Sequence, residues 1–204
     1  MTDKADPRAR GLFFVLSGPS GAGKDAVMDR MRLHGFPIRF VVTCTTRPPR
    51  DGEAHGRDYF FVSNEQFDRM IAEDDLLEWA MVHGRHYGVP RSQVRDVIAS
   101  GEHILARVDV QGAAAIRQKV PEAVLIFLAP PSLDVLGARL EQRNTETPEE
   151  RAIRLRNAEE EWKRLPEFDY VVINRDGHLD EAVEKVEAII EAESCRVRRR
   201  QVEL

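Results

Sequence analysis

The chain has 204 residues, 42% of them hydrophobic, and a formal net charge of −5. That is enough apolar material for an ordinary core without metal or disulfide support, and the acidic balance argues against a general nucleic-acid surface. No apolar run approaches the roughly 20 residues that span a bilayer, Met1 to Arg10 has no signal-peptide core, and Cys44 and Cys195 form no ligand-spaced pair, so a reduced cytoplasmic protein without a membrane partner is expected.

The first element is an apolar strand, Leu12 to Leu16, followed by Gly18-Pro-Ser-Gly-Ala-Gly-Lys24 and a helix from Asp25 to Leu33. Strand, glycine-rich turn and helix in that order make a P-loop. Gly18, Pro19, Ser20, Gly21, Ala22 and Gly23 leave the backbone N–H groups open to phosphate oxygens, and the helix turns its positive end to the same anion. Lys24 adds a mobile positive charge for the β- and γ-phosphates of ATP.

Further apolar runs follow at Ile38 to Val42, Ile104 to Val108, Val124 to Leu128 and Tyr170 to Ile173. Their near-continuous apolar content suits strands buried on both faces of a parallel sheet. Helical patterns lie between them at Ser92 to Ser100, Gly112 to Lys119, Leu133 to Arg143, Glu149 to Arg164 and Leu179 to Ala192; in the last, Leu179, Val183, Val186 and Ile190 share one face. The expected fold is α/β, a P-loop NTPase with a parallel sheet flanked by helices. Two segments interrupt it. Residues 46–90 read as a small, mostly β acceptor-binding insertion with a helix from Asn64 to Ile71, and residues 132–165 as a helical lid with arginines at 139, 143, 151, 154, 156 and 164. The core is assigned 1–45, 91–131 and 166–204. The basic stretch Arg196 to Arg200 reads as a solvated, frayed tail.

Within the insertion, Thr45-Thr-Arg-Pro-Pro-Arg-Asp-Gly-Glu-Ala-His-Gly-Arg-Asp-Tyr-Phe-Phe61 places two prolines between Arg47 and Arg50, which holds two guanidinium forks ready for a phosphate, with Tyr59 adding a hydroxyl. With these residues the chain closely resembles the guanylate kinases from about Leu12 to Glu193. Glu78-Trp-Ala80, Tyr87-Gly88, Asp109-Val-Gln-Gly112, Pro130-Pro-Ser132 and Arg143-Asn-Thr-Glu146 extend the resemblance, in order and at compatible spacing. It implies transfer of the γ-phosphoryl of ATP to GMP or dGMP with Mg²⁺. It further implies that Thr43, Arg47, Arg50, Tyr59, Tyr87 and Asp109 belong to the GMP site, that Glu78 reads the base, and that Asp109 also lies near Mg²⁺ and the phosphates. Arg139, Arg143 and Arg154 become lid residues that act with Lys24, and Asn174 approaches the adenine. A carboxylate suits Glu78's role, since it accepts from both N1–H and the exocyclic amine of guanine.

Three positions depart from the family pattern. Asp25 stands where a Mg²⁺-binding Ser or Thr is usual, and as a hard oxygen ligand in a first helical turn it can serve. Val89 replaces a donor to guanine, and Arg107 replaces an acid that helps read the base. Arg107 can compensate by donating to guanine O6 and N7, or it can pair with Asp109 on the same strand face. The Gly-Lys-Asp ending also resembles the ribose 1,5-bisphosphate phosphokinases, which gives an alternative acceptor. A non-catalytic guanylate-kinase-like binding module is the third reading.

Overall fold

In the computed structural model, which describes residues 10–82, 84–142 and 148–204, the first apolar run becomes a central strand, β1 (Phe13–Ser17), buried along its whole length. It is flanked by β7 (Ile104–Arg107) and β8 (Val124–Ala129), with β2 (Arg39–Phe40) and β9 (Tyr170–Ile173) at the edges. All four pairings are parallel. Side chains alternate across the sheet. Phe14 and Leu16 pack beneath α1 (Lys24–His34) and α7 (Leu179–Ser194), while Phe13 and Val15 join Val94 and Ile98 of α3 (Arg91–Ala99) and Ala113 and Ile116 of α4 (Val110–Lys119). Helices on both faces explain why the strand sequences carry no polar alternation.

The edges are less regular than the apolar runs suggest. The expected strand Ile38 to Val42 pairs as β2 over only two residues, because its chain passes to a second sheet at β3 (Cys44–Thr45). On the other edge, Val171 is half exposed.

The second sheet has the order β4 (Phe60–Phe61), β3, β6 (Arg85–Pro90), β5 (Leu76–Val82). Helix α2 (Asn64–Ala72) covers it and starts with a reciprocal cap in which Ser63 Oγ accepts from Gln66 N at 3.1 Å and Ser63 N donates to Gln66 Oε1 at 2.8 Å. Phe67, Leu76 and Cys44 form its core. The Cys44 thiol donates to Gly88 O, and burial pushes its pKa to about 12, so it stays a thiol.

Helices α5 (Leu133–Gln142) and α6 (Pro148–Lys163) pack on each other through Leu136, Leu155 and Ala158. Trp162 and Leu165 then fix the end of α6 and the 3₁₀ turn Leu165–Glu167 to Phe127 and Ala129. The C-terminal basic stretch is tied down at Arg196 and Arg200, contrary to expectation, while Val197 and Arg198 between them are exposed. Arg200 pairs with Asp169 and Glu193, Arg196 pairs with Glu193, and Val202 is buried against the sheet. Glu193 is 1% exposed, and a buried carboxylate needs such cations. Among the described residues no helix is long and apolar enough to cross a membrane.

Candidate active site

The glycine-rich loop links β1 to α1, and its glycines are required by geometry. At Gly18 (φ +134°) a Cβ would lie 2.1 Å from Leu128 O, and at Gly23 (φ +96°) 2.4 Å from Asn174 Nδ2. Gly21 also has positive φ. Gly23 caps α1 in the left-handed conformation without a side-chain acceptor, so the first-turn N–H groups face the loop's concavity, where an anion is favoured. Asn174, expected at the adenine, is buried against this loop, and its amide donates to Ala22 O at 2.8 Å. That contact holds the loop's shape.

Lys24 Nζ turns onto the loop itself, donating to Gly18 O at 2.5 Å and Pro19 O at 3.1 Å. Burial lowers its pKa from 10.5 to about 8, against the pull of Glu161, Asp25 and Asp109, while Arg107 adds to the drop. Lys24, Ser20 and Gly18 of the loop line a cavity of about 450 Å³ together with Thr43, Tyr59, Glu78 and Tyr87 of the insertion and its approach. Lys24 of the donor loop and Glu78 of the acceptor site therefore share one space, while Arg47 and Arg50 line another.

Glu78 on β5 is 9% exposed. Burial, with a smaller contribution from Asp109, raises its pKa to about 7. Its Oε2 stands 3.0 Å from where a Cβ on Gly112 would be, so the absence of a side chain at Gly112 gives the carboxylate its place against α4. Asp109 begins that helix as its N-cap, with Oδ1 accepting from Gly112 N at 2.6 Å. Val89 is buried in the core with Leu77 and does not line the cavity.

Arg47 is already oriented. Its guanidinium makes a two-pronged pair with Glu53 at 2.8 and 3.0 Å and donates to Pro48 O at 2.8 Å, while Arg50 N donates to the same Glu53 at 2.7 Å. The pair drives the Arg47 pKa up and the Glu53 pKa down. Arg47, Arg50, Arg85 and Tyr87 surround an adjoining cavity of about 400 Å³, so Tyr87 belongs to both spaces. Three of Arg47's five N–H donors are spent on Glu53 and Pro48, and Tyr87 is a further hydrogen-bond partner.

Of the expected lid arginines the structure describes Arg139 and Arg154, and neither lines the main cavity. Arg139 is held at the turn after β9, with Nε to Asp176 Oδ1 at 2.8 Å and Nη2 to Asn174 O at 2.7 Å. Arg154 is partly buried on α6, and Arg143 lies outside the described residues. Instead Glu161 of α6 reaches the main cavity. Burial raises its carboxyl pKa and Asp109 adds to the rise, while Lys24 and a hydrogen bond from the Ser20 backbone oppose it. Nothing in the charged, regularly helical sequence around Glu161 marked it out. Glu53 and Arg85 were likewise missed, although Glu53 follows the Arg47 turn closely enough to have suggested a return contact.

Arg107 does not take Asp109, the protein partner expected for it. β7 ends at Arg107 and Asp109 opens α4, so the two do not share a strand face; the Arg107 guanidinium ion-pairs with Asp25. Two of the three departures from the family pattern thus meet each other.

Comparison with known proteins gives one family. The guanylate kinase family model matches residues 11–193. A guanylate kinase of Caldanaerobacter subterraneus subsp. tengcongensis is 44% identical over 94% of this chain and 92% of its own, and one from Halalkalibacterium halodurans is 46% identical over 93% and 92%. Guanylate kinase 2, chloroplastic/mitochondrial, of Oryza sativa subsp. japonica is 46% identical over 97% of this chain and 70% of its own. Among solved structures, guanylate kinase from Anaplasma phagocytophilum superposes with a TM-score of 0.70 at 30% identity, covering 95% of this chain and 90% of that one.

Proposed function

The chain belongs to the guanylate kinase family, and from that premise we propose how its residues divide the transfer of the γ-phosphoryl of ATP to GMP. The observation that carries the assignment is that Lys24 and Glu78 line the same cavity. Loop N–H groups and Lys24 hold the donor phosphates, Arg47 and Arg50 with Tyr59 and Tyr87 hold the acceptor phosphate, and Glu78 accepts from the guanine edge. An oxygen of the GMP phosphate bonds to the γ-phosphorus as ADP leaves. Catalysis is by positioning and charge, without a covalent intermediate on the protein.

Approach of ATP places phosphate charge beside Glu161, so this carboxylate has to withdraw from Ser20 and Lys24. Because Glu161 sits on α6, phosphate binding would move the helix that carries Arg154 and pair donor binding with closure of 132–165 as a lid. Arg139, and Arg143 beyond the described residues, are assigned to the same closure.

The donor set suits Mg²⁺, which commonly takes one or two carboxylates and substrate phosphates. Asp109 lines the cavity near Lys24 and caps its helix through Oδ1, leaving Oδ2 to a metal. Asp25 is the second carboxylate, and it holds Arg107. When bound, Mg²⁺ neutralises charge on the β- and γ-phosphates.

Arg47→Ala should raise the GMP KM and lower kcat, since the phosphate anchor also orients the attacking oxygen. One lost charge-assisted contact is worth about 1.5–3 kcal/mol, or roughly 10–150-fold in kcat/KM. Steady-state kinetics check this, and unchanged kinetics would confine the loop to a structural role.

The acceptor is tested by ADP release with Mg²⁺ and ATP against GMP, dGMP and ribose 1,5-bisphosphate. GMP should dominate, with dGMP next. Faster turnover of ribose 1,5-bisphosphate would overturn the assignment and favour the relatives that share the Gly-Lys-Asp ending.

A further inference from the structure

Arg107 ends β7 and Asp25 lies in the first turn of α1, so their ion pair ties the sheet to the phosphate loop. The pair does little for the fold. The Arg107 side chain is 38% exposed and that of Asp25 73%, and ion pairs at such exposure contribute little stability. Its position has more to say. Arg107 lines the 450 Å³ cavity with Lys24 and Glu78, and together with Asp25 it also lines a neighbouring cavity of about 430 Å³. Arg107 is close enough to Lys24 to help depress the lysine's pKa. Two cations therefore face one cavity at the end where the loop gathers phosphate.

A guanidinium has five N–H donors in a rigid fork, and contact through Nη1 with one carboxylate oxygen leaves most of them available. Pinned at one tip and open to a cavity at the other, it matches the geometry of a phosphate. Resting on the guanylate kinase reading, we infer that Arg107 is a ligand of the phosphates that meet between donor and acceptor, and that Asp25 is the positioning residue that holds its guanidinium there. The guanine edge stays with Glu78. Without metal, Asp25 on its own would repel nucleotide, and the arginine that it places offsets that repulsion.

A double-substitution cycle separates this role from simple neutralisation. ATP binding is measured by calorimetry in EDTA, where no metal offsets charge, for the unaltered protein, Asp25→Asn, Arg107→Ala and the double variant, with Mg²⁺-ATP binding to the unaltered protein as reference. Asp25→Asn should bind several-fold more weakly, because losing its repulsion does not offset losing the guanidinium's position; tighter binding would overturn the positioning role. Arg107→Ala should bind more than about tenfold more weakly, and the double variant should remain at least about fivefold weaker than the unaltered protein. Arg107→Lys should recover part of the affinity, and Arg107→Gln serves if the alanine variant melts early. If Arg107 only neutralises Asp25, removing both charges restores the original affinity, which would overturn the inference. Failure of the unaltered protein to bind Mg²⁺-ATP would instead overturn the functional reading beneath it.

Discussion

Lys24→Met should cost about 10²–10³-fold in kcat while making the nucleotide-free protein more stable at pH 7. The first effect follows from removing the one loop charge that travels with the donor phosphates. The second follows from the pKa of Lys24, which burial lowers from 10.5 to about 8. A base with a depressed folded pKa favours folding above its unfolded pKa, and that contribution is lost as pH falls through the folded one. Below about pH 8 the charged ammonium is therefore held at a cost, on the order of 1–3 kcal/mol after allowing for its contacts with Gly18 O and Pro19 O. Methionine fills the same space without charge. Its thermal midpoint at pH 7 should exceed that of the unaltered protein by several degrees, and the gain should shrink above pH 10. A lower midpoint for Lys24→Met at pH 7 would show that the carbonyl contacts outweigh the burial of charge.

Glu78→Gln should lower kcat/KM for GMP by about 10–10³-fold and leave AMP nearly unaffected, because an amide cannot accept from both guanine donors. Its pH dependence gives an independent check. The Glu78 pKa is raised to about 7 in the folded chain, so the group favours folding most below its unfolded value near 4.5, and this contribution is lost as pH rises through 7. Glu78→Gln should therefore match the unaltered protein near pH 4 and be more stable at pH 8, by on the order of 1–3 kcal/mol. Guanine needs the carboxylate, so kcat/KM for GMP, measured at saturating Mg²⁺-ATP where the phosphates keep Lys24 charged, should climb about tenfold between pH 6 and 8 in the unaltered protein. The same profile in the glutamine variant should be flatter, which removes any contribution from ionisation of the GMP phosphate.

What could be read from the sequence was local. The P-loop was legible because strand, glycine turn and lysine must be contiguous, and Gly18 and Gly23 prove to be positions where a Cβ would collide. The parallel sheet was legible from strands buried on both faces, such as β1 and β8. Residues whose meaning depends on a partner far along the chain were not. Arg107 looked suited to pairing with Asp109 because nothing local announces that β7 ends beside the first turn of α1, where Asp25 waits. Arg200 read as tail because its partners, Asp169 and Glu193, carry no sign in sequence of being buried. Glu161 was hidden among the charges of α6, where every turn offers a carboxylate and only the packing of Trp162 decides which one faces Lys24. Val89 showed the converse: its chemistry was read correctly as non-donating, but its place in the core was not foreseen.

The central claim is that one cavity holds the donor phosphates at Lys24 and the guanine at Glu78. The most direct measurement is a crystal structure with a bisubstrate compound in which adenosine and guanosine are joined by a phosphate chain. The expected density runs without a break from the glycine-rich loop, past Arg107, to a guanine whose N1 and exocyclic amine lie within hydrogen-bond distance of the Glu78 carboxylate. A guanine bound elsewhere, with Glu78 left facing solvent or protein, would contradict it.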